Sequence, residues 1–221
     1  MSYVAKFIDV LLHVDKYLDQ IIQTYGLWTY MILFIVIFCE TGLVVTPFLP
    51  GDTLLFVCGA FAAKGSFSVP GVMFVLAVAA FLGDAANYSI GYYLGPTLHE
   101  KGKLPFIKQE HLDRTHKFYE KYGKATIILA RFVPIVRTFA PFLAGVGSMR
   151  YLEFAIYNVT GGVLWVVVGV GAGYFFGNLP VVKDNFTLVL IAIVIISVMP
   201  MVIGYWRQRR EAKRAPGARS Q

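Results

Sequence analysis

Arg131-Phe132-Val133-Pro134-Ile135-Val136-Arg137-Thr138 is the stretch on which the fold turns. Two arginines flank a proline in the middle of the otherwise apolar run Ala125–Met149, which also holds Pro141. Proline removes a backbone donor and clashes with the preceding turn, so no helix is expected to pass through Pro134 or Pro141 intact. A second run, Leu27–Ala63, has the same character. It carries Glu40 and, in its middle, Thr46-Pro47-Phe48-Leu49-Pro50-Gly51-Asp52. Irregular backbone at membrane depth is tolerated only inside protein or beside water. Each broken run therefore predicts a re-entrant hairpin that enters and leaves on one side.

The rest of the 221-residue chain supports a membrane setting. Its hydrophobic fraction is 57% and its charged fraction 15%, against about 45–50% and about 25% in soluble domains. The mean hydropathy of +0.63 excludes a water-soluble globule. Crossing helices need roughly 20 apolar residues, and Val69–Leu98, Phe154–Val182 and Asn185–Trp206 qualify. Phe7, Leu11, Val14, Leu18 and Ile21 recur at helical spacing with acids on the other face, which predicts an interfacial amphipathic helix rather than a cleavable leader.

Basic charge marks the orientation. The tail 207–221 carries a net +5 and the segment 96–124 a net +3, out of +7 for the chain. With the tail in the cytoplasm, the helix count returns 96–124 to the same side, in accord with the positive-inside rule. Phe48-Leu49-Pro50, Gly65-Ser66 and Gly91-Tyr92 recur in order as Phe132-Val133-Pro134, Gly147-Ser148 and Gly173-Tyr174. The hairpins then open to opposite sides, an inverted repeat with its site near the midplane. The expected fold is all-α and polytopic: an inverted repeat with two opposed re-entrant broken-helix hairpins, three or four transmembrane helices and an N-terminal amphipathic helix. One membrane domain spans 1–206, made of the amphipathic helix 1–25, repeat 1 over 27–95, the basic segment 96–124, repeat 2 over 125–177 and the last helix 185–206. The tail 207–221 follows.

Glu40, Asp52, Asp84, Arg131 and Arg137 lie in apolar surroundings. Facing lipid they would together cost roughly 10–15 kcal/mol, so they are expected to face an interior cavity and one another. One reading is a structural cluster in which Glu40 and Asp52 pair with Arg131 and Arg137. Buried ion pairs, however, often only break even against packed apolar side chains. The arginine fork suits phosphate oxygens, so the sharper reading makes Arg131 and Arg137 a phosphate site beside the hairpin tip. Glu40 and Asp52 are then the proton relay or gate. Asp84, Asn87, Tyr88, Thr138 and Asn158 are supporting polar residues, with Asn87 and Tyr88 expected to bond Asp84.

Other chemistries find little support. Cys39 and Cys58 read as packed hydrophobes. His13, His99, His111 and His116 all lie outside the apolar runs, in no metal-ligand spacing. There is no GxSxG and no P-loop, so no catalytic constellation, metal or cofactor is expected. No basic stripe interleaved with aromatics points to nucleic acid. Gly169, Gly171, Gly173 and Gly177 permit close helix packing, within one chain or in a homo-oligomer.

The stretches Phe48–Asp52 and Arg131–Thr138, with Glu40-Thr41-Gly42, Gly83-Asp84, Asn87-Tyr88, Ala144-Gly145 and Tyr157-Asn158, resemble the DedA family of bacterial membrane proteins. The resemblance covers roughly residues 20–180. It implies a multi-pass inner-membrane protein with opposed re-entrant hairpins, related to eukaryotic lipid scramblases. It implies movement of undecaprenyl phosphate or phospholipid linked to proton motive force, with the family's essential acids at Glu40 and Asp52 and its essential arginines at Arg131 and Arg137. The expected function is a lipid-phosphate flippase whose partners are the lipid, surrounding membrane and protons. The alternative is a proton-coupled exporter of small cations or drugs, and an enzyme such as a polyprenyl pyrophosphate phosphatase is disfavoured.

Overall fold

In the computed structural model the described helices end and begin on either side of the two proline-containing stretches. The structure describes residues 24–42, 51–101, 109–133 and 136–180, with Gln20, Ile22, Val182, Val189 and Ala192. Helix α1 (Leu27–Gly42) stops before Thr46–Pro50, and α2 (Gly51–Ala63) begins directly after it. A long helix α3 (Val69–Lys101) follows, then the polar α4 (Gln109–Tyr122), a 3-10 turn (Gly123–Ala125) and the short α5 (Thr126–Ala130). Three successive i→i−3 bonds, from the amides of Arg131, Phe132 and Val133, tighten and close α5. Helix α6 (Val136–Val146) resumes after Pro134, and α7 (Tyr151–Gly177) completes the set. The expected amphipathic helix 1–25, last helix 185–206 and tail 207–221 lie wholly or mostly outside the described residues.

Two prolines depart from expectation. Pro141 sits inside α6 without ending it, and Pro96 sits inside α3, which continues to Lys101 beyond the boundary expected at residue 96. Pro141 is in the second turn of a helix that starts at Val136, so the bond it forfeits is at the helix's first turns. Packing of α6 along α3 holds the segment helical regardless.

Among the described residues, two helices are long and apolar enough to cross a bilayer, Val69–Pro96 and Tyr151–Gly177. Helix α1 has 16 residues, about 24 Å at 1.5 Å per residue, short of the roughly 30 Å hydrocarbon core. Helices α2 and α6 are shorter still. The burial pattern is that of a protein in lipid. Glu40, Asp84, Asn87, Arg131 and Asn158 are buried, while Trp28, Phe74, Leu82, Ile156, Val163 and Val167 are exposed.

Packing repeats across the two halves. Helix α1 lies on α3 and α5 lies on α7, each within its own half. The middle helices cross over, α2 onto α7 and α6 onto α3. Both crossings use the same contacts. A Cβ on Gly59 would stand 2.1 Å from the Val170 carbonyl oxygen, and one on Gly173 would stand 2.0 Å from that of Phe56. In the other crossing a Cβ on Gly145 would stand 2.1 Å from the Tyr88 carbonyl oxygen, and one on Gly91 would stand 2.0 Å from that of Phe142. Only glycine lets the backbones meet so closely. The interval that carries Gly91 onto Gly173 also carries Tyr88 onto Val170. Helices α3 and α7 run antiparallel, since Asn158 bonds the Phe81 carbonyl while Tyr151 and Phe154 pack on Tyr88. The corresponding long helices of the two halves thus run in opposite directions.

The turns that end α2 and α6 also correspond, with one shift from the sequence alignment. In each, an amide three residues past the helix bonds back five residues, Ser66 to Phe61 and Met149 to Ala144. The left-handed residue is Gly65 in one (φ +87°) and Ser148, not Gly147, in the other (φ +52°). A side chain in that region costs about 1–2 kcal/mol. Ser148→Gly is expected to raise thermal stability in detergent by about 1 kcal/mol; an unchanged or lower melting temperature would contradict this strain.

Candidate functional site

The ionisable residues expected to converge do so, in two clusters. Arg137 leaves the first turn of α6 and reaches across to both helices of the first broken run. Its Nη2 donates to Glu40 Oε1 at 2.6 Å and its Nη1 to Asp52 Oδ1 at 3.1 Å. Glu40, at the end of α1, also accepts the Gly51 amide at 3.1 Å, so one carboxylate oxygen ties the guanidinium to the start of α2. The other oxygen, Oε2, is buried without a hydrogen-bond partner. Gly51 packs directly against this carboxylate, since a Cβ there would lie 1.7 Å from Glu40 Oε2 and the acid would have to shift. Asp52 is the open member, its side chain 66% exposed against 6% for Glu40 and 15% for Arg137.

Arg131 belongs to the second cluster. Its Nη2 forms a buried ion pair with Asp84 in α3 and donates to Asn158 Oδ1 in α7 at 2.5 Å. Asn158 in turn donates to the Phe81 carbonyl at 3.1 Å, fixing its amide orientation. Gly161 and Gly162 make room for the arginine, and its Nε is buried without a partner. The arrangement corrects two sequence expectations. Glu40 and Asp52 both go to Arg137, while Arg131 takes Asp84. Asn87 and Tyr88 do not bond Asp84; Asn87 donates to the carbonyls of Thr41 (3.2 Å) and Thr138 (2.8 Å), and Tyr88 to that of Met149. Asn87 thereby staples α1 and α6 to α3 and satisfies carbonyls near both helix breaks. Thr138 contributes its backbone rather than its hydroxyl to this link.

Trp165, absent from the sequence-based site, lies between the clusters. Its indole Nε1 donates to Asp52 Oδ1 at 2.7 Å. Its ring centroid is 4.9 Å from the Arg137 guanidinium carbon and 5.9 Å from that of Arg131. A signal for it existed. Trp165 is the lone tryptophan inside a charge-free run, and a buried indole N–H needs an acceptor. The acceptor, 113 residues earlier in the chain, has no local trace.

A guanidinium held by two carboxylates, one of them open, can exchange carboxylate for phosphate oxygens of similar spacing. Among the described residues no group of three or more histidine, cysteine or acidic side chains is placed to hold a metal. Residues 49–175 match the VTT domain, more than half of the chain. The chain belongs to the DedA family of VTT-domain membrane proteins. It is similar to Protein DedA of Escherichia coli K12, 50% identical over 217 residues, with 97% of this chain and 99% of that protein covered. An uncharacterized membrane protein of Mycobacterium tuberculosis H37Rv is 45% identical over 186 residues, covering 83% and 82%. Inner membrane protein YqjA of E. coli K12 is 33% identical over 175 residues, covering 79% and 80%. No solved structure matches. In this DedA-family protein the motif residues Glu40, Asp52, Asp84, Arg131, Arg137 and Asn158 form the two clusters, and Gly145 serves the crossing of α6 on α3.

Proposed function

We propose that this protein moves a lipid phosphate, undecaprenyl phosphate or a phospholipid, across the bacterial inner membrane, its headgroup passing through the polar interior while the tails stay in lipid. The observation that carries the reading is Arg137 at the junction of the two broken runs, shared by a buried carboxylate and an exposed one. A phosphate displaces Asp52 first, because Asp52 is the solvent-exposed partner. Arg131 adds positive charge from across Trp165 while Asp84 and Asn158 hold it. The pairs α1–α2 and α5–α6 are the two re-entrant hairpins, opening to opposite faces, and the tail is cytoplasmic. Their short helices and the antiparallel α3 and α7 support this topology.

Proton linkage follows from the exchange. A phosphate that takes the place of the exposed Asp52 brings negative charge against the buried Glu40, and unbalanced buried charge is costly. A proton on Glu40 offsets it, and the unpartnered Oε2 is the atom placed to carry that proton. The test is movement of labelled undecaprenyl phosphate in proteoliposomes, with and without a pH gradient. A rate equal to that of protein-free vesicles in both conditions overturns the proposal. Cation-driven proton flux in vesicles lacking polyprenyl phosphate would favour a small-cation exporter instead.

A further inference from the structure

The inverted repeat lets each buried polar residue be compared with its structural counterpart. The interval relating α3 to α7 carries Asp84 onto Val166 and Leu76 onto Asn158, so one member of each pair is apolar. It carries Gly83 onto Trp165. The contrast there is the largest possible in side-chain size. At Gly83 a Cβ would already lie 1.8 Å from Thr41 Oγ1, so the first half has no room for any side chain. In the second half the same place holds an indole that is 4% exposed. Packing follows the symmetry, and the chemistry departs from it at this position.

What the indole touches gives the departure a role. Asp52 Oδ1 receives both the Trp165 N–H at 2.7 Å and the Arg137 Nη1 at 3.1 Å. The indole comes from α7, the long helix of one half, and Asp52 from α2, the short helix of the other. Both guanidiniums lie within 6 Å of its ring centroid, the range in which a cation is attracted to an aromatic ring. Two like charges thus share one polarisable ring, each with its own acid.

We propose that Trp165 is the positioning residue of the ligand site: its N–H holds Asp52 against Arg137, and its ring borders both guanidiniums, until a phosphate oxygen takes the place of Asp52. The inference rests on the lipid-phosphate reading above. Asp52 alone is too exposed to keep a fixed geometry, since an exposed ion pair gains little over its solvated groups. A donor with no rotamer to spare supplies the order that solvent exposure removes.

Two measurements on full-length protein in proteoliposomes test this together. Trp165→Phe keeps an aromatic ring beside the arginines and removes the N–H together with part of the indole's bulk. It is expected to lower the maximal rate of labelled undecaprenyl phosphate movement about tenfold, the loss of one hydrogen bond to a charged acceptor, with the half-saturating lipid fraction within about twofold of the original. Separately, a protein in which Trp28 and Trp206 are phenylalanine leaves Trp165 as the only fluorophore of its kind. Titrating it with undecaprenyl phosphate is expected to shift its emission over the same range in which transport saturates, and Arg137→Ala in that background is expected to remove the shift. A tryptophan that only fills space gives no shift on adding lipid phosphate. Unchanged emission, or Trp165→Phe transporting at the original rate, overturns the proposal. The unsubstituted protein run alongside separates this outcome from failure of the transport reading, which would show as no movement in any sample.

Discussion

Arg137→Ala is expected to reduce lipid-phosphate movement roughly hundredfold, the loss of a two-pronged charged contact worth about 3 kcal/mol. The substitution removes the ligand's fork and also leaves Glu40 and Asp52 facing each other without a cation. Because Arg137 is 15% exposed and one of its partners is open to solvent, the remaining acids can rehydrate or take up protons, so the fold is expected to survive. Arg137→Lys keeps the charge but presents a point donor instead of a planar fork. Its rate should fall between those of Arg137→Ala and the unsubstituted protein, by about tenfold. Circular dichroism and gel filtration in detergent establish that the variants are folded. A folded Arg137→Ala protein moving lipid at the original rate would remove the guanidinium from the site's function.

The second large effect concerns stability. Arg131 and Asp84 are each 6% exposed, and the pair is enclosed by α3, α5 and α7. Removing one partner strands the other charge in a low-dielectric interior, a loss of about 3–5 kcal/mol. Asp84→Ala and Arg131→Ala should each lower the melting temperature in detergent steeply or prevent accumulation in the membrane. The double replacement Asp84→Leu with Arg131→Met fills similar volume without charge and should recover most of that loss. Double-mutant analysis of thermal unfolding provides the measurement. If the double variant is as unstable as the sum of the two singles, the ion pair is not the interaction that holds these helices. Comparing the two arginines in this way distinguishes a guanidinium placed for exchange from one placed for assembly.

The two arginines were indistinguishable in sequence. Both sit three residues from Pro134 in the same apolar run, and nothing local separates them. In the fold, Arg131 ends α5, whose neighbour is α7, whereas Arg137 begins α6, which crosses to α3, and its side chain reaches Glu40 in α1 and Asp52 in α2. One turn of chain between them is enough to aim their side chains at different acids. Asn158 and Asp84 were legible as polar residues in apolar helices, but their link through Arg131 joins positions 27 and 47 residues away. Gly65 and Gly147 looked equivalent by motif, yet the turn geometry pairs Gly65 with Ser148. The alignment was blind to backbone handedness, which the hydrogen bonds of the helix end decide.

Composition and local pattern determined the membrane setting, the two long helices expected over 69–98 and 154–182, and the charges that are buried among the described residues. These depend on hydrophobicity, proline geometry and the cost of an ion in hydrocarbon, all of which act at the residue itself. Which acid holds which arginine, and that Trp165 stands between them, was decided only when α2 crossed to α7 and α6 to α3. Those crossings depend on glycine backbones meeting at contact distance across the two halves, and no single stretch of chain contains both sides of such a contact.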